Sequence, residues 1–320
     1  MQPTLLAAFF EFSRTAFSMS CAGLALLAVG LLAAKNDIAQ ARGLDKIVAL
    51  TYLCFAVPLA AFGAEHLSGA KFLKNAVPPY MPWRLFWAYF VGFALIAASL
   101  SIATRIQVRW SGLLFGIMMF LFVAMLHLPR AVTSGDRISW TIVFREMSFG
   151  GGAWVLAGVA MGGLRGPGRS LITVGRVLIA LAAIFFGVQH FLHPLGLPGV
   201  PLEKQMPTWI PARAFLDYLT GAFLIVAGVC FLLARKTREA AVYLGAWIVL
   251  LVLVIYGPVL IGALADPSTA VKVEGLNYFA DTLLFGGAIL SLARPARPQH
   301  SLPAATSPGQ QSPAPQPVGQ

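Results

Sequence analysis

Ionisable and polar side chains interrupt the long apolar stretches of this sequence at a small number of places. A charged group at mid-helix in a membrane costs about 2.5–3.5 kcal/mol on insertion scales, so such residues usually face a protein interior or a cavity. Imidazole, carboxylate and guanidinium groups that converge there can bind the polar part of a ligand or form ion pairs. The sequence therefore predicts a polar pocket in each half of the chain. The candidate ligand-binding residues are Glu65, His66, His127, Arg145 and Glu146 in the first half, and His190, Asp217, Tyr256 and Asp281 in the second.

Two other interpretations of these residues remain open at this point. They could be interfacial caps, with His and Tyr bonding to loop carbonyls and Arg reaching lipid phosphates. Arg145, Glu146 and Asp281 lie inside apolar stretches rather than at their ends, which favours a functional role or a buried ion pair. A small further shift of the alignment places Phe149-Gly150-Gly151 on Phe285-Gly286-Gly287 and makes Arg145 and Asp281 equivalent, so we predict that they pair.

Haem binding is a less favoured interpretation of the histidines. His66 and His127 could be axial ligands on neighbouring helices, since imidazole pairs hold iron in many cytochromes. The second half offers His190 and Tyr256 instead, which does not repeat the pair. The sequence contains no P-loop, GxSxG, HExxH or CxxC motif, so neither catalytic residues nor a metal site are predicted. No resident cofactor is predicted, and quinone and haem are kept as alternatives.

The elements that must position these residues are membrane helices. Hydrophobic residues make up 58% of the chain and charged residues 11%, against roughly 25% charged in an ordinary soluble domain. Apolar runs of about twenty residues between charges have the length of membrane-spanning helices. We predict an all-α integral membrane protein with about nine spans: 15–34, 46–65, 85–104, 110–127, 138–163, 171–190, 213–234, 239–263 and 274–293.

The basic residues predict the orientation of these spans. The net charge of +11 comes from Lys and Arg residues at predicted helix ends rather than from one patch, so nucleic acid is not an expected partner. With nine spans, thirteen Lys and Arg residues fall on one side of the membrane and nine on the other. Because cytoplasmic loops are enriched in these residues, we predict an outside amino terminus and a cytoplasmic carboxyl terminus in a bacterial inner membrane.

Comparison of the chain with itself indicates a tandem repeat. Residues 62–66 align with 186–190, and after a loop that is longer in the second copy, Pro82 aligns with Pro211 and Pro129 with Pro258. Each copy contains four spans, so the copies are expected to be parallel. The predicted regions are an amino-terminal segment with an anchor helix (1–45), which could also be a signal peptide, two four-helix repeats (46–163 and 164–293), and a disordered Pro-, Gln- and Ser-rich tail (294–320).

The loop after the first span of each repeat is rich in proline. It runs from His66 to Trp83 in the first repeat and from His190 to Pro211 in the second. Proline prevents regular helix in such segments, and tryptophan favours the headgroup region of a membrane. We expect each loop to fold back over the bundle as a lid on its polar pocket.

The second repeat carries the pattern of a known family. Its residues are Arg176, then Phe186-Gly187-Val188-Gln189-His190-Phe191, Pro194, Trp209-Ile210-Pro211 and Tyr218-Leu219-Thr220-Gly221. This pattern resembles the DoxX-like four-helix membrane family, closely over 170–293 and more loosely over 46–163. In that family the first helix ends in Gly-x-x-His or Gly-x-x-Lys, and some members are linked to thiosulfate:quinone oxidoreduction or to membrane oxidoreductase assemblies.

Three functions are consistent with these observations. The resemblance favours a non-enzymatic accessory or scaffold component of a membrane redox or cell-envelope assembly, whose partners would be membrane lipids and another membrane subunit. The polar residues under the proline-rich loops favour a binder or transporter of a small amphipathic molecule such as a quinone or a lipid. The third function, a quinone-linked oxidoreductase subunit, follows from the resemblance alone.

Overall fold

A computed structural model of the chain describes residues 5–294, with side chains from residue 14 onward. In this range the protein is all-α, and the only pairing of extended backbone is an isolated bridge between Gly196 and Gln205. The predicted disordered tail lies outside the described residues from residue 295 onward. The protein is therefore an all-α membrane protein, as the composition predicts.

The helices follow one another in simple order along the chain. The first half contains α1 (Leu5–Gln40), α2 (Asp45–Ala49), α3 (Thr51–Ser68), α4 (Ala70–Leu73), α5 (Arg84–Thr104), α6 (Val108–Phe122), α7 (Leu128–Ser134) and α8 (Arg137–Ala160). The second half contains α9 (Arg169–Leu192), α10 (Arg213–Leu232), α11 (Thr237–Leu251), α12 (Gly257–Ala265) and α13 (Thr269–Ser291). A π-helical turn joins α6 to α7 (Val123–His127) and α11 to α12 (Val252–Tyr256), and a short 3₁₀ turn (Gly163–Arg165) precedes α9.

Six helical stretches within the described residues are long and apolar enough to cross a membrane. They are Arg14–Gln40, Arg84–Thr104, Val108–Ser134, Arg169–Leu192, Arg213–Leu232 and Thr237–Ala265. The three other predicted spans coincide with α2–α3, α8 and α13. Helices α8 and α13 are less apolar because they carry buried charged residues, Glu146 and Asp281, and α2–α3 carry the partly buried Asp45 and Glu65.

Several backbone features recur at a spacing of 129 residues. Left-handed residues precede α5 and α10, Trp83 in the first case and Ala212 in the second. Each π-helical turn is followed by a proline in the first turn of the next helix, Pro129 or Pro258. A shared spacing for unusual backbone conformations indicates that the two halves fold alike over these helices.

The packing of the helices has a matching pattern in the two halves. Within the halves, α3 packs on α5 and α6 on α8, while α9 packs on α10 and α11 on α13. Between the halves, α8 packs on α9 and α13 on α3, and α8 and α13 contact each other at the centre. Helix α1 lies outside this pattern, against α3, α5 and α13. The fourth helix of each half thus packs against the first helix of the other.

Helix α8, which carries two candidate site residues, has a well-defined beginning. Asp136 caps it by accepting hydrogen bonds from the backbone N–H of Ser139 at 2.8 Å and from the Ser139 hydroxyl at 2.6 Å. The hydroxyls of Ser134 and Ser139 hold the pKa of the Asp136 carboxyl below its usual range. This cap fixes where α8 starts and therefore how Arg145 and Glu146 are oriented two turns later.

Glycine allows the close approach of α8 and α9. A methyl group on Gly151 would lie 2.9 Å from the carbonyl oxygen of Gly175, and a methyl group on Gly175 would overlap the carbonyl oxygen of Gly151. Because both obstacles are backbone atoms, a rotamer change cannot relieve them. Small residues at such crossings are what let membrane helices pack closely.

Gly175→Ala is expected to destabilise the protein by about 1–3 kcal/mol, the usual effect of overpacking. Gly262→Ala is the matched control, because Gly262 is also helical but has no atom within 4 Å of the added methyl. Alanine there should be neutral or slightly stabilising, since it favours helix over glycine by about 1 kcal/mol. Thermal unfolding in detergent, followed by circular dichroism, measures both; equal effects of the two substitutions would contradict the proposed close contact.

Candidate ligand-binding cavity

A cavity of about 470 Å³ lies in the first half of the protein. Its walls come from α3, α5, α6, the first π-helical turn, α8 and the proline-rich loop, with α13 closing one side. This volume is within the roughly 300–1,000 Å³ typical of small-molecule sites. Its polar lining residues are Glu65, His66, His127, Arg145, Glu146, Asn277 and Asp281. Six of the nine candidate residues thus line one cavity.

The greater part of the cavity wall is apolar. It consists largely of aromatic, aliphatic and methionine side chains from α5 and α6, among them Trp87, Phe90, Val91, Leu95, Phe115, Met118, Met119, Leu121 and Phe122. Phe90 and Leu121 are also 50% and 51% exposed on the outer surface of the helices. The cavity therefore reaches the surface between α5 and α6, where a membrane protein faces lipid. Methionine side chains are flexible and adapt to ligands of different shape.

An ion-pair network forms the charged end of the cavity. Arg145 Nη1 donates to Asp281 Oδ2 at 2.6 Å, and Arg145 Nη2 donates to Glu146 Oε1 at 2.7 Å. The side chains of Arg145, Glu146 and Asp281 are 17%, 10% and 8% exposed, respectively. The predicted pairing of Arg145 with Asp281 is confirmed, and it links α8 of the first half to α13 of the second.

Helices α3 and α13 supply the remaining polar wall near the loop. Asn277 Nδ2 donates to Glu65 Oε1 at 3.2 Å. His66 Nδ1 lies 2.9 Å from the carbonyl oxygen of Phe62, so Nδ1 donates and Nε2 remains as the acceptor nitrogen of the ring. Asn277 is a lining residue that our candidate set lacks. Its spacing of four residues from Asp281 places both on one face of a helix, and this signal could have identified it.

The first proline-rich loop lies over the cavity as predicted. Arg84 holds it by donating from Nε to the carbonyl oxygen of Val77 at 2.9 Å and from Nη2 to that of Asn75 at 3.1 Å. The loop residues that line the cavity are Leu73, Ala76, Val77, Pro78 and Met81. The loop therefore closes the polar end with an apolar surface.

The three second-half candidates outside this cavity have a different environment. His190, Asp217 and Tyr256 are 1%, 0% and 0% exposed, so they offer no accessible surface to a ligand. His190 Nδ1 lies 2.8 Å from Asp217 Oδ1, without the alignment of a hydrogen bond. Their role as pocket residues, which the sequence predicts, is not what this structure shows, because the second proline-rich loop covers them.

The second loop is anchored to these buried residues. The N–H of Gly199 donates to His190 Nε2 at 3.1 Å, which leaves the ring proton on Nδ1, facing Asp217. Asp217 Oδ2 accepts from the N–H of Leu195 at 2.9 Å, and the Tyr256 hydroxyl donates to the carbonyl oxygen of Pro198 at 3.0 Å. The anchored loop buries four apolar side chains almost completely: Leu197, Val200, Met206 and Ile210.

The two halves also differ in the space between their second and third helices, α5 and α6 in the first half and α10 and α11 in the second. In the second half, Trp247 Nε1 donates to the Thr220 hydroxyl at 3.1 Å, and the Trp247 ring packs edge-on against Phe223. At the spacing of 129 residues, Trp247 corresponds to Met118 and Thr220 to Val91, and both of these line the cavity. The wall that is open in the first half is thus occupied by an indole in the second.

The described residues contain no group of three or more His, Cys, Asp or Glu side chains that could hold a metal ion. The described cysteines, Cys21, Cys54 and Cys230, are all free. His66 and His127, the pair considered for haem, both line the cavity.

Comparison with known proteins adds no further assignment. No family model, no curated protein and no solved structure matches this chain. The resemblance to DoxX-like proteins therefore stays a prediction, and the function is argued from the cavity itself.

Proposed function

We propose that this protein binds a small amphipathic molecule of the membrane in the cavity of its first half. The apolar part of the molecule lies along α5 and α6, and its polar head lies against the side chains around Arg145. The observation that carries this proposal is one cavity that joins a lipid-facing apolar opening to a buried ion network. A site with this gradient of polarity suits a molecule that is itself apolar at one end and polar at the other.

Binding is preferred over transport because of the packing beyond the charged end. A methyl group on Gly152 would lie 2.6 Å from the backbone of Ala288, and one on Gly287 would lie 2.8 Å from Cys54. Helices α3, α8 and α13 are therefore in close contact there and leave no room for passage. The accessory role that the resemblance favours would rest on a partner surface, whereas the cavity is a specific feature of the described structure.

The proposal includes the finer architecture predicted from the sequence. We take the chain as nine spans: an anchor helix and two parallel, DoxX-like four-helix repeats related by a pseudo-two-fold axis. The shared spacing of 129 residues and the matching packing of the halves support this. The distribution of Lys and Arg supports a bacterial inner membrane with the carboxyl terminus in the cytoplasm. In this orientation the cavity opens in the outer half of the membrane.

Met118→Trp tests the proposal. A tryptophan at this position would occupy the wall as Trp247 does in the second half, and we expect it to reduce the bound molecule at least about tenfold, since a filled cavity excludes its ligand. The measurement is mass spectrometry of organic extracts from the purified full-length protein. Leu114→Trp is the matched control, because Leu114 lies one turn earlier on α6 and is 60% exposed. Equal amounts of every co-purifying lipid and quinone in the two variants would contradict the proposal.

A further inference from the structure

The charges that line the cavity do not balance. Three carboxylate side chains, from Glu65, Glu146 and Asp281, line it together with one guanidinium group, that of Arg145. Both terminal nitrogens of this guanidinium already donate to carboxylates. The guanidinium is therefore already paired within the wall, and three carboxyl groups share this one cation.

The hydrogen-bonding groups of the wall are also unbalanced. Glu146 and Asp281 are buried, and Arg145 donates to one carboxylate oxygen of each, which leaves the second oxygen of each for another donor. Asn277 Oδ1 is buried without a partner, and His66 Nε2 is an acceptor. Among the described residues, the corresponding donors without a hydrogen bond are Arg145 Nε and one ring N–H of His127. Acceptors thus outnumber donors, and buried acceptors are stabilised by a group that donates to them.

We propose that the head group of the bound molecule is a protonated amine on an apolar tail. This inference rests on the proposed function and specifies its ligand class. An ammonium group supplies both the positive charge and the N–H donors that the wall lacks, and charge-assisted bonds to carboxylates are the stronger kind. A quinone or an anionic lipid head would instead bring further acceptors or further negative charge.

Three ten-carbon probes that differ in the head group test this: decylamine, decanol and decanoic acid. The full-length protein is placed in nanodiscs of phosphatidylcholine, and binding is measured by titration calorimetry with empty nanodiscs subtracted. We expect decylamine to bind at least about tenfold more tightly than decanol or decanoic acid, as one charge-assisted bond would provide. Met118→Trp should abolish this difference, because the cavity is then filled.

Glu65→Gln measures the contribution of the charge with little change of shape. We expect it to weaken decylamine binding by about tenfold and to leave decanol binding unchanged. Glu274→Gln is the matched control, since Glu274 is an exposed carboxylate on α13 outside the cavity lining.

The outcomes separate this inference from the proposed function. If decanol or decanoic acid binds as tightly as decylamine, and Met118→Trp removes that binding, the cavity is a site but the amine assignment is wrong. If no probe shows binding that depends on Met118→Trp, both proposals fail. If decylamine is preferred but Glu65→Gln does not weaken it, the charge argument is overturned.

Discussion

Arg145→Gln is expected to lower the free energy of unfolding by about 3–5 kcal/mol, the usual effect of removing one partner of a buried ion pair. The substitution leaves Glu146 and Asp281 facing each other without the cation that now donates to both. Two like charges in a bundle interior repel, and the wall around them is largely apolar. Unfolding in detergent, followed by circular dichroism over a series of denaturant concentrations, measures the loss.

Substitutions of Asp281, alone and together with Arg145, show whether the loss of their ion pair causes the destabilisation. Asp281→Asn should be destabilising, and Arg145→Gln with Asp281→Asn should be more stable than the sum of the single effects predicts, because each removes the other's unpaired charge. Exchanging the two charges, Arg145→Asp with Asp281→Arg, should restore part of the lost stability. Glu274→Gln breaks the exposed pair with Lys204 and should cost less than about 1 kcal/mol. Strictly additive effects in the double variant would contradict the coupling.

The pairing of Arg145 with Asp281 could be predicted from the sequence because it depends on two simple facts. Charged residues inside apolar helices need partners, and the alignment of the two halves places these two residues at equivalent positions. The helices that carry these two residues, α8 and α13, contact each other in the bundle. The position of the first proline-rich loop was predictable for a related reason, since the loop connects two neighbouring helices and must lie over their ends.

The covering of the second predicted pocket by its loop could not be predicted in this way. The alignment shows a longer second loop, but whether its extra residues fill the bundle or extend outward depends on packing. Leu197 and Val200 are almost completely buried, and a methyl group on Gly199 would lie 3.3 Å from Thr282 and 3.6 Å from Ile248. The same holds for Trp247 and Met118, the corresponding residues of α11 and α6. Both belong to the apolar pattern of a helix, although one side chain is an indole and the other a thioether. Their volumes decide whether the wall is closed, and an apolar pattern carries no information about volume.

The number of spans illustrates a further limit of pattern reading. A helix buried among other helices can tolerate charged residues that a lipid-facing helix cannot. Helices α3, α8 and α13 carry the ion network and its neighbours, and for that reason they resemble lipid-crossing segments less than the outer helices do. Hydropathy therefore identifies six apolar stretches, including α5 and α6 with the apolar wall of the cavity, while α3, α8 and α13, which carry most of its polar groups, give a weaker signal.

Asp217→Ala is expected to destabilise the protein by about 3–5 kcal/mol and to release the part of the second proline-rich loop that lies between α9 and α10, residues 193–212. Asp217 is fully buried, accepts a hydrogen bond from Leu195 N–H and lies beside the Nδ1–H of His190. Its removal leaves the N–H of Leu195 without its acceptor and the Nδ1–H of His190 without the carboxylate that faces it, and each such donor in the bundle interior carries a penalty of about 1–3 kcal/mol. Trypsin cleavage after Lys204, followed by mass spectrometry of the fragments, measures the release of the loop.

The first half shows why the loop, rather than the whole bundle, should respond to this substitution. Ala88 occupies the position that corresponds to Asp217, and there the helices enclose a cavity while His66 bonds to the carbonyl oxygen of its own helix. A neutral side chain at this position is therefore compatible with the helical frame but not with the inward loop. Asp217→Asn keeps an acceptor for Leu195 and should have an intermediate effect, and Glu203→Ala, an exposed change in the same loop, should have none. Rapid cleavage at Lys204 in the unaltered protein, or none in Asp217→Ala, would show that the buried carboxylate does not hold the loop in place.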